Sequence, residues 1–327
     1  MPLAFVTGGT GFLGLNLVEQ LAARGWEIVA LHRRSSDTRR LGRFPVRLAV
    51  GEIGDRKAVE AALPEAADAV FHCAANTTMW SRRFDEQERD NVGGTIAVIG
   101  AALARKAKRF VHVSSVAVYG HGNAVVTEAS PQVAMDGRGY AGSKLRAERA
   151  VKAATRDDGL PGIVVNPSHI VGRYDTHGWA RMIEMTVRGK IPGVPPGGGS
   201  FCHAAAVAEA MIAAAERGRL GQNYLLGGAE ASFLDVFRII GKLTGKKVPK
   251  RAMPAAALKL YARLVTGIAA ITGREPRITP DIAALVTSDT HVDSARAKAE
   301  LGYRSVALEA MLADAHGWMK GEGLLAA

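Results

Sequence analysis

The sequence TGGTGFLG, residues 7–14, decides the fold of this chain. It follows a short apolar segment, residues 3–6, and precedes apolar residues at helical spacing from Leu15 to Ala23. The glycines therefore lie where a strand turns into a helix. A dinucleotide pyrophosphate needs this arrangement, which combines a tight turn, a closely approaching backbone and a helix N-terminus aimed at negative charge. The segment predicts dinucleotide binding in preference to a purely structural turn.

Strand and helix patterns alternate through the first half of the chain. The predicted strands are 27–32, 46–50, 68–72, 109–114 and 162–166, and the predicted helices are 55–63, 85–106 and 137–154. Parallel strands need crossover connections, so this alternation predicts an α/β fold of the Rossmann type, a parallel sheet doubly wound by helices. We assign residues 1–166 to this dinucleotide-binding domain.

The rhythm changes after Pro167, and helices dominate the second half. Predicted helices cover 179–188, 204–216, 234–243, 255–271 and 308–320, with one short strand at 224–226. Residues 191–199 are rich in proline and glycine and are predicted to form a loop. Residues 167–327 are thus expected to form mainly a smaller substrate-binding lobe. Segments near 200–226 and 286–300 should return to the first domain.

Composition excludes several classes of protein. The chain has 327 residues and two cysteines, Cys73 and Cys202, which are too few for a disulfide framework. The N-terminus lacks a signal-peptide pattern, and no apolar run reaches the roughly 18 residues of a membrane span. No metal-ligand motif is evident. We therefore expect a cytoplasmic protein without a metal site.

The formal charge of +11 is unevenly distributed. Between Arg238 and Arg277 there are ten Lys or Arg residues and one acidic residue, Glu275. No nucleic-acid module accompanies this excess, so nucleic acid is not an expected partner. Residues 254–272 form an apolar helical stretch with Lys259 and Arg263 on one stripe. The stretch could close the core of the lobe, cover a hydrophobic pocket or make a weak contact with a membrane surface.

Tyr140 and Lys144 are four residues apart on a predicted helix, so their side chains share a face. A tyrosine hydroxyl ordinarily has a pKa near 10, and a nearby ammonium lowers that value. The pair is therefore a sensible proton-transfer unit. Ser114 and Ser115, at the end of a predicted strand, could hold a substrate oxygen.

Four motifs in this order resemble the extended short-chain dehydrogenase/reductase superfamily, and especially its dihydroflavonol 4-reductase-like reductases. They are TGGTGFLG at 7–14, DNVGGT at 90–95, HVSSVAVYG at 112–120 and YAGSK at 140–144. The resemblance implies a catalytic Tyr140, a carbonyl-orienting Ser115, a Lys144 that also binds the nicotinamide ribose, and an Asn91 that supports proton relay. It also implies a homodimer and cofactor contacts from Gly8, Thr10, Gly11, Phe12, Leu13, Gly14, Ala74, Ala75, Tyr140, Lys144 and Pro167.

The end of the second strand bears on the choice of cofactor. An acidic residue there binds a ribose 2′-hydroxyl, whereas a basic one pairs with a 2′-phosphate. This chain has Arg33 and Arg34, and its first carboxylate is Asp37. The pattern predicts NADP(H) in preference to NAD, unless the two arginines belong to a solvated turn. By resemblance, Glu52 and Ile53 should lie beside the adenine.

Departures from the family's motifs narrow the reaction. Val116 and Ala117 stand where dehydratases of this superfamily carry Asp-Glu, so dehydration is not expected. Residues 199–206 keep His203 but lack the arginine and acids typical of nucleotide-sugar enzymes; His203 itself is predicted to be structural. The stretch 166–198 resembles dihydroflavonol reductase-like proteins. Together with the apolar lobe and Met79-Trp80, this resemblance implies reduction of a ketone or aldehyde on a hydrophobic small molecule. The alternatives are a nucleotide-sugar epimerase with retained NAD and a non-catalytic nucleotide-binding protein.

Overall fold

The computed structural model of the chain describes residues 1–120, 122, 125–276 and 278–325. Its strands are β1 Leu3–Thr7, β2 Glu27–His32, β3 Arg47–Val50, β4 Ala69–His72, β5 Phe110–Val113, β6 Val125–Val126, β7 Gly162–Pro167, β8 His169–Val171, β9 Gly198–His203, β10 Asn223–Leu226, β11 Ala229–Ser232 and β12 Asp289–Val292. Its α-helices are α1 Phe12–Ala23, α2 Arg56–Ala62, α3 Phe84–Glu88, α4 Gly94–Ala104, α5 Tyr140–Asp157, α6 Trp179–Val187, α7 Ala204–Arg217, α8 Phe233–Thr244, α9 Ala255–Thr272, α10 Pro280–Val286 and α11 Leu308–Gly321.

Seven strands form a parallel sheet in the order β10-β7-β5-β4-β1-β2-β3. The chain winds in one direction through β1, β2 and β3, and in the other through β4, β5 and β7. The reversal lies between β1 and β4, and a cleft opens at the carboxyl ends of the strands at such a point. The predicted Rossmann-type α/β fold is confirmed.

Except at the edge strand β3, where Leu48 and Val50 are exposed, both faces of the sheet are buried, which explains why its strands are almost continuously apolar. On one face, α1 and α7 cover the sheet through residues such as Leu17 and Met211. On the other face, α2, α4 and α5 contribute Val59, Val98 and Val151. Helices α3 and α4 are joined by one π-helical turn, Arg89–Gly93, inside the predicted helix 85–106.

A second, smaller sheet lies in the C-terminal half. Its order is β11-β9-β12-β6, with β8 paired to β9, and α6, α8 and α11 pack near it around Phe201 and Phe233. The prediction of a loop at 191–199 is wrong for its last two residues, because Gly198 and Gly199 begin β9. A Cβ atom on Gly198 would lie 2.6 Å from the carbonyl oxygen of Ala231. These glycines therefore allow strand backbones to pack closely. Their high frequency in the segment led to the prediction of a loop.

The sequence prediction omitted β6, β8, β9, β11, β12 and α10. Of the segments expected to return to the first domain, α7 and β10 pack on the large sheet, and Ala297 and Leu301 join the same core. Strands β9 and β12 belong instead to the small sheet. The two halves are therefore interleaved along the chain.

Helix α9 bears on the expectation that no apolar run reaches the length of a membrane span. It has 18 residues and a mean hydropathy of 1.3, so by length and composition it is sufficient to cross a membrane, although Lys259 and Arg263 interrupt it. Within the described part of the chain it is the one helix that meets this test. Only 17% of it is buried, whereas the core helix of a globular domain would be mostly covered.

Candidate active site and dinucleotide cleft

The glycine loop between β1 and α1 has room for backbone only. Gly8 has a φ of +72°, and a Cβ atom there would lie 2.6 Å from the amide nitrogen of Ala74. A Cβ atom on Gly14 would lie 2.1 Å from the carbonyl oxygen of Gly8. Gly11 precedes α1 and makes no side-chain cap, so no side chain occupies the helix N-terminus. This cradle fits the pyrophosphate of a dinucleotide, as the sequence predicts.

Two adjoining cavities of about 960 and 860 Å³ share this loop. The first continues from the loop to the start of α5, and the second continues to the ends of β2 and β3. Of the predicted cofactor contacts, the first cavity is lined by Gly8, Thr10, Gly11, Phe12, Leu13, Gly14, Arg33, Ala75, Tyr140, Lys144 and Pro167, and the second by Gly8, Thr10, Gly11, Arg33, Glu52, Ile53, Ala74 and Ala75. A single elongated site therefore connects the two predicted ends of the cofactor.

Arg33 and Arg34, the two arginines after β2, differ in their position relative to the cavities. Arg33 lines both cavities, whereas Arg34 is exposed and lines neither, so the structure does not bring Arg34 to the cleft. Asp37 forms hydrogen bonds of 2.7 to 3.1 Å with the Arg39 side chain, and this pairing lowers the pKa of the Asp37 carboxyl. Asp37 also lines neither cavity. The first carboxylate after β2 is thus paired with Arg39.

Arg40 is a site residue that the sequence prediction missed. It lines the first cavity, and its guanidinium lies 5.2 Å from the ring centroid of Trp318 and 3.6 Å from Glu322. Trp318 lies in the C-terminal helix α11 and Glu322 directly follows it, both about 280 residues further along the chain. No local pattern around residue 40 could have indicated this position.

Tyr140, Lys144 and Ser115 all line the first cavity. Tyr140 is the first residue of α5, and the Ser115 hydroxyl is close enough to it to act on its pKa. Lys144 is 2% exposed, and its ammonium donates a hydrogen bond to the carbonyl oxygen of Val113. The side-chain oxygen of Ser115 also accepts from the amide of Ala117 at 3.2 Å, which fixes the turn that follows β5.

Burial shifts the pKa values of both Tyr140 and Lys144. It raises the pKa of Tyr140 above 10, and the hydrogen bond from Ser115 opposes the shift. Burial also lowers the pKa of Lys144 to about 8. The expectation that Lys144 lowers the pKa of Tyr140 is therefore wrong for this structure. Tyr140 holds its proton at neutral pH and is set up as an acid.

Ser114 and Ser115 have different roles in the packing. Ser114 is buried and donates to the Glu148 carboxylate at 2.7 Å. Glu148, also buried, accepts further hydrogen bonds of 2.8 to 2.9 Å from Gln132, Asn166 and Asn223. It lies four residues after Lys144, and this spacing was the one sequence signal for it. The carboxylate joins α5 to β7, β10 and the end of β5, next to the reacting groups.

Asn91 lies in the π-helical turn and is 2% exposed. Its side-chain oxygen accepts from the Asn76 amide at 2.7 Å, and its side-chain nitrogen donates to the Asn76 carbonyl and to Ser143, both at 3.0 Å. These bonds hold the segment after β4. They do not bring Asn91 to the hydroxyl of Tyr140 or the ammonium of Lys144, so its part in a proton relay stays a prediction.

The lining of the first cavity outside the glycine loop mixes apolar and polar side chains. Met79, Ile170, Trp179 and Leu285 are apolar members of it, and His177 and Asp281 are polar ones. Trp80 lines neither cavity, and the Arg82 guanidinium lies 5.8 Å from its ring centroid.

His203 contacts the Asp314 carboxylate at 3.1 Å outside the cleft, which agrees with a structural role. Among the described residues, no group of three His, Cys, Asp or Glu side chains could hold a metal ion.

The chain is similar to a known protein family, to named relatives and to solved structures. The sequence model of the NAD dependent epimerase/dehydratase family matches residues 4–227. A Synechocystis protein provisionally named dihydroflavonol 4-reductase is 29% identical over 98% of this chain and 95% of its own length. A Stigmatella aurantiaca protein named as a ketoreductase of a farnesylated dihydroquinoline oxide is 34% identical over 80% of this chain and 78% of its own. A solved structure described as a nucleoside-diphosphate-sugar epimerase from Pseudomonas aeruginosa is 25% identical, with a TM-score of 0.79 over 99% of both chains.

Proposed function

Because the chain belongs to the NAD-dependent epimerase/dehydratase family, we propose that it is an NADP(H)-dependent reductase of a ketone or aldehyde on a hydrophobic small molecule. Family membership confirms the resemblance read from the motifs. The observation that carries the proposal is the cleft that joins the glycine loop to Tyr140, Ser115 and Lys144. Relatives named as a dihydroflavonol reductase and a ketoreductase support reduction as the reaction class.

Tyr140, Ser115 and Lys144 each have a chemical task in this proposal. A bound reduced nicotinamide would supply hydride to the carbonyl carbon. Tyr140 donates its phenolic proton to the carbonyl oxygen, and Ser115 holds that oxygen by a hydrogen bond. A tyrosine hydroxyl is protonated at neutral pH, so Tyr140 carries the proton that the carbonyl oxygen takes up. Lys144 would bind the nicotinamide ribose, and the apolar side chains of Met79, Ile170, Trp179 and Leu285 would contact a hydrophobic substrate.

Replacing Tyr140 with Phe tests the chemical step. We expect turnover to fall by about a thousandfold, within the range measured for the loss of a general acid. NADPH affinity, followed by fluorescence, should change little. The assay is cofactor consumption across flavanonols, steroids, aromatic aldehydes and β-keto acyl compounds. Wild-type turnover in the variant would overturn the mechanism.

Replacing Arg33 with Ala tests the cofactor. The loss of a guanidinium from a 2′-phosphate should weaken NADPH binding by about tenfold to a hundredfold. NADH binding should hardly change, because NADH lacks that phosphate. Arg34→Ala is the matched control, since Arg34 is exposed outside both cavities. Equal losses for NADPH and NADH, or equal effects of the two substitutions, would refute the assignment.

A nucleotide-sugar epimerase is the second candidate, favoured by the similarity to the Pseudomonas aeruginosa structure. The segment 199–206 argues against it, since it lacks the arginine and the acids that nucleotide-sugar enzymes of the superfamily carry there. Moreover, Phe201 and Cys202 are fully buried in β9. Purified protein that retains oxidised NAD and epimerises a nucleotide sugar would favour this candidate over the reductase.

A further inference from the structure

One face of α9 is apolar and exposed. Leu260, Leu264, Ile268 and Ile271 are 58%, 60%, 60% and 89% exposed, and Tyr261 beside them is 55% exposed. Successive members of this set are one, three or four residues apart, so they form a single stripe along the helix. We call these five residues the outer stripe. A helix surface that meets water is ordinarily polar, so the outer stripe needs an explanation beyond the fold of the chain.

The side of α9 that packs on the protein is much smaller. Leu258, Ala262 and Ala269 are buried, and the first two form a cluster with Ala283 of α10. The helix is therefore apolar on two sides. Packing inside the protein accounts for one side only.

Positive charge accompanies the outer stripe. Lys259 and Arg263 are exposed on the same helix, and Lys246, Lys247 and Lys250 are exposed in the segment before it. The one acidic residue between Arg238 and Arg277, Glu275, already lies 3.8 Å from Arg83. Two copies of so basic a surface would repel each other, whereas an anionic surface would attract it.

Helix α9 is also close to the cleft. Ala283 of α10 packs on α9, while Ala284 and Leu285 of α10 line the first cavity. At the other end of α9, the Arg82 guanidinium donates to the carbonyl oxygen of Ala270 at 2.6 Å. Arg82 lies in the segment after β4, which contributes Met79 to the same cavity wall. One short helix thus separates the outer stripe from the cavity.

We propose that α9 lies on the surface of a bilayer containing anionic phospholipids, with the outer stripe inserted among the acyl chains. In this orientation α10 and the opening of the cleft adjoin the membrane, from which a hydrophobic substrate enters. The entry of substrate rests on the proposed function, whereas membrane binding does not. A surface position follows because Leu258 and Ala262 hold α9 on α10, and Lys259 and Arg263 divide the helix.

Flotation of the full-length protein with vesicles tests the proposal. We expect binding to vesicles of equimolar phosphatidylcholine and phosphatidylglycerol, weaker binding to phosphatidylcholine alone, and release by salt. Leu264→Glu and Ile268→Glu should each lower the partition coefficient more than tenfold. Leu220→Glu is the matched control, since Leu220 is 47% exposed outside α9, and it should bind like the wild type.

Three results would overturn the proposal: no binding by the wild type, unchanged binding by both α9 variants, or equal loss in the Leu220→Glu control. A dimer that dissociates in the α9 variants, without vesicle binding by the wild type, would assign the outer stripe to a second copy instead. NADPH consumption with a water-soluble carbonyl compound is measured in parallel. Turnover without vesicle binding refutes the membrane inference alone, and vesicle binding without turnover refutes the reductase proposal alone.

Discussion

Helices α5 and α9 have the same length, 18 residues, and opposite relations to the protein. Helix α5 carries charged residues along its whole length and yet buries eight positions, including Lys144 and Glu148. Helix α9 has only Lys259 and Arg263 as charged residues and buries three positions. The more polar helix is therefore the more deeply buried one.

The difference shows that the place of a helix in the fold decides its burial more than its own hydrophobicity does. Helix α5 begins at the cleft and packs against the sheet, so its polar residues are buried where they can bind, hold or transfer protons. Burying such groups has a free-energy cost that hydrogen bonds must offset. Helix α9 lies at the edge of the protein, and its apolar residues are exposed.

The largest expected effect concerns the buried carboxylate of α5. Glu148→Ala removes the acceptor of four hydrogen bonds, and each buried donor left unpaired costs about 1–3 kcal/mol. We expect the free energy of unfolding to fall by about 3–5 kcal/mol, measured by urea denaturation. The rate of turnover should fall as well, because Glu148 positions the segments after β5 and within β7.

Two variants serve as controls for this experiment. Glu148→Gln keeps one acceptor oxygen and should lose about half as much stability and turnover. Arg263→Ala removes an exposed charge from α9 and should change stability by less than about 0.5 kcal/mol. If Glu148→Ala and Arg263→Ala have equal effects, the contrast between the helices does not hold.

Most of the large sheet could be predicted from sequence, because its strands are apolar on both faces and its helices are amphipathic. The ends of β2 agree with the prediction at both residues, Glu27 and His32. The small sheet could not be predicted in the same way. Its strand β6 has two residues and β8 has three, so partners elsewhere in the chain define them. The glycines of β9 conceal a strand, since their role is close approach between backbones.

The candidate site, too, combines residues that local motifs predict with residues that depend on distant partners. The residues of the glycine loop and the Tyr-Lys pair lie within local motifs, and the structure brings them to one cleft. Arg40 depends on Trp318 and Glu322, and the partners of Glu148 come from four separate segments. The raised pKa of Tyr140 depends on burial, which a sequence motif cannot report.

A smaller effect should follow from the charge that α5 buries. The pKa of Lys144 is lowered from 10.5 to about 8, so between these values the unfolded chain binds a proton that the folded protein lacks. Stability then rises with pH in this window, and the cost of the buried ammonium is fully present below it. From pH 7 to pH 9 this contribution should be about 1 kcal/mol.

The difference between wild type and Lys144→Met, measured by urea denaturation across that range, isolates the contribution. Groups that titrate in this range independently of Lys144 are common to both proteins. Lys259→Met on α9 should follow the pH dependence of the wild type, because Lys259 is exposed. A wild type whose pH dependence matches that of Lys144→Met would show that burying this ammonium has no cost.

The smallest effect on stability is expected for a substitution on α9. The same substitution on α5 allows the two helices to be compared directly. Leu264→Ala should change the free energy of unfolding by less than about 0.5 kcal/mol, because the side chain is 60% exposed. The same substitution at Leu145 of α5, which is 1% exposed, should cost about 2–5 kcal/mol through the cavity that it leaves. Both are leucines in helices of equal length, so intrinsic helix propensity cancels. Urea denaturation of the two variants without lipid measures the pair. A large loss for Leu264→Ala would mean that the outer stripe is covered by the protein itself, and the membrane proposal would lose its basis.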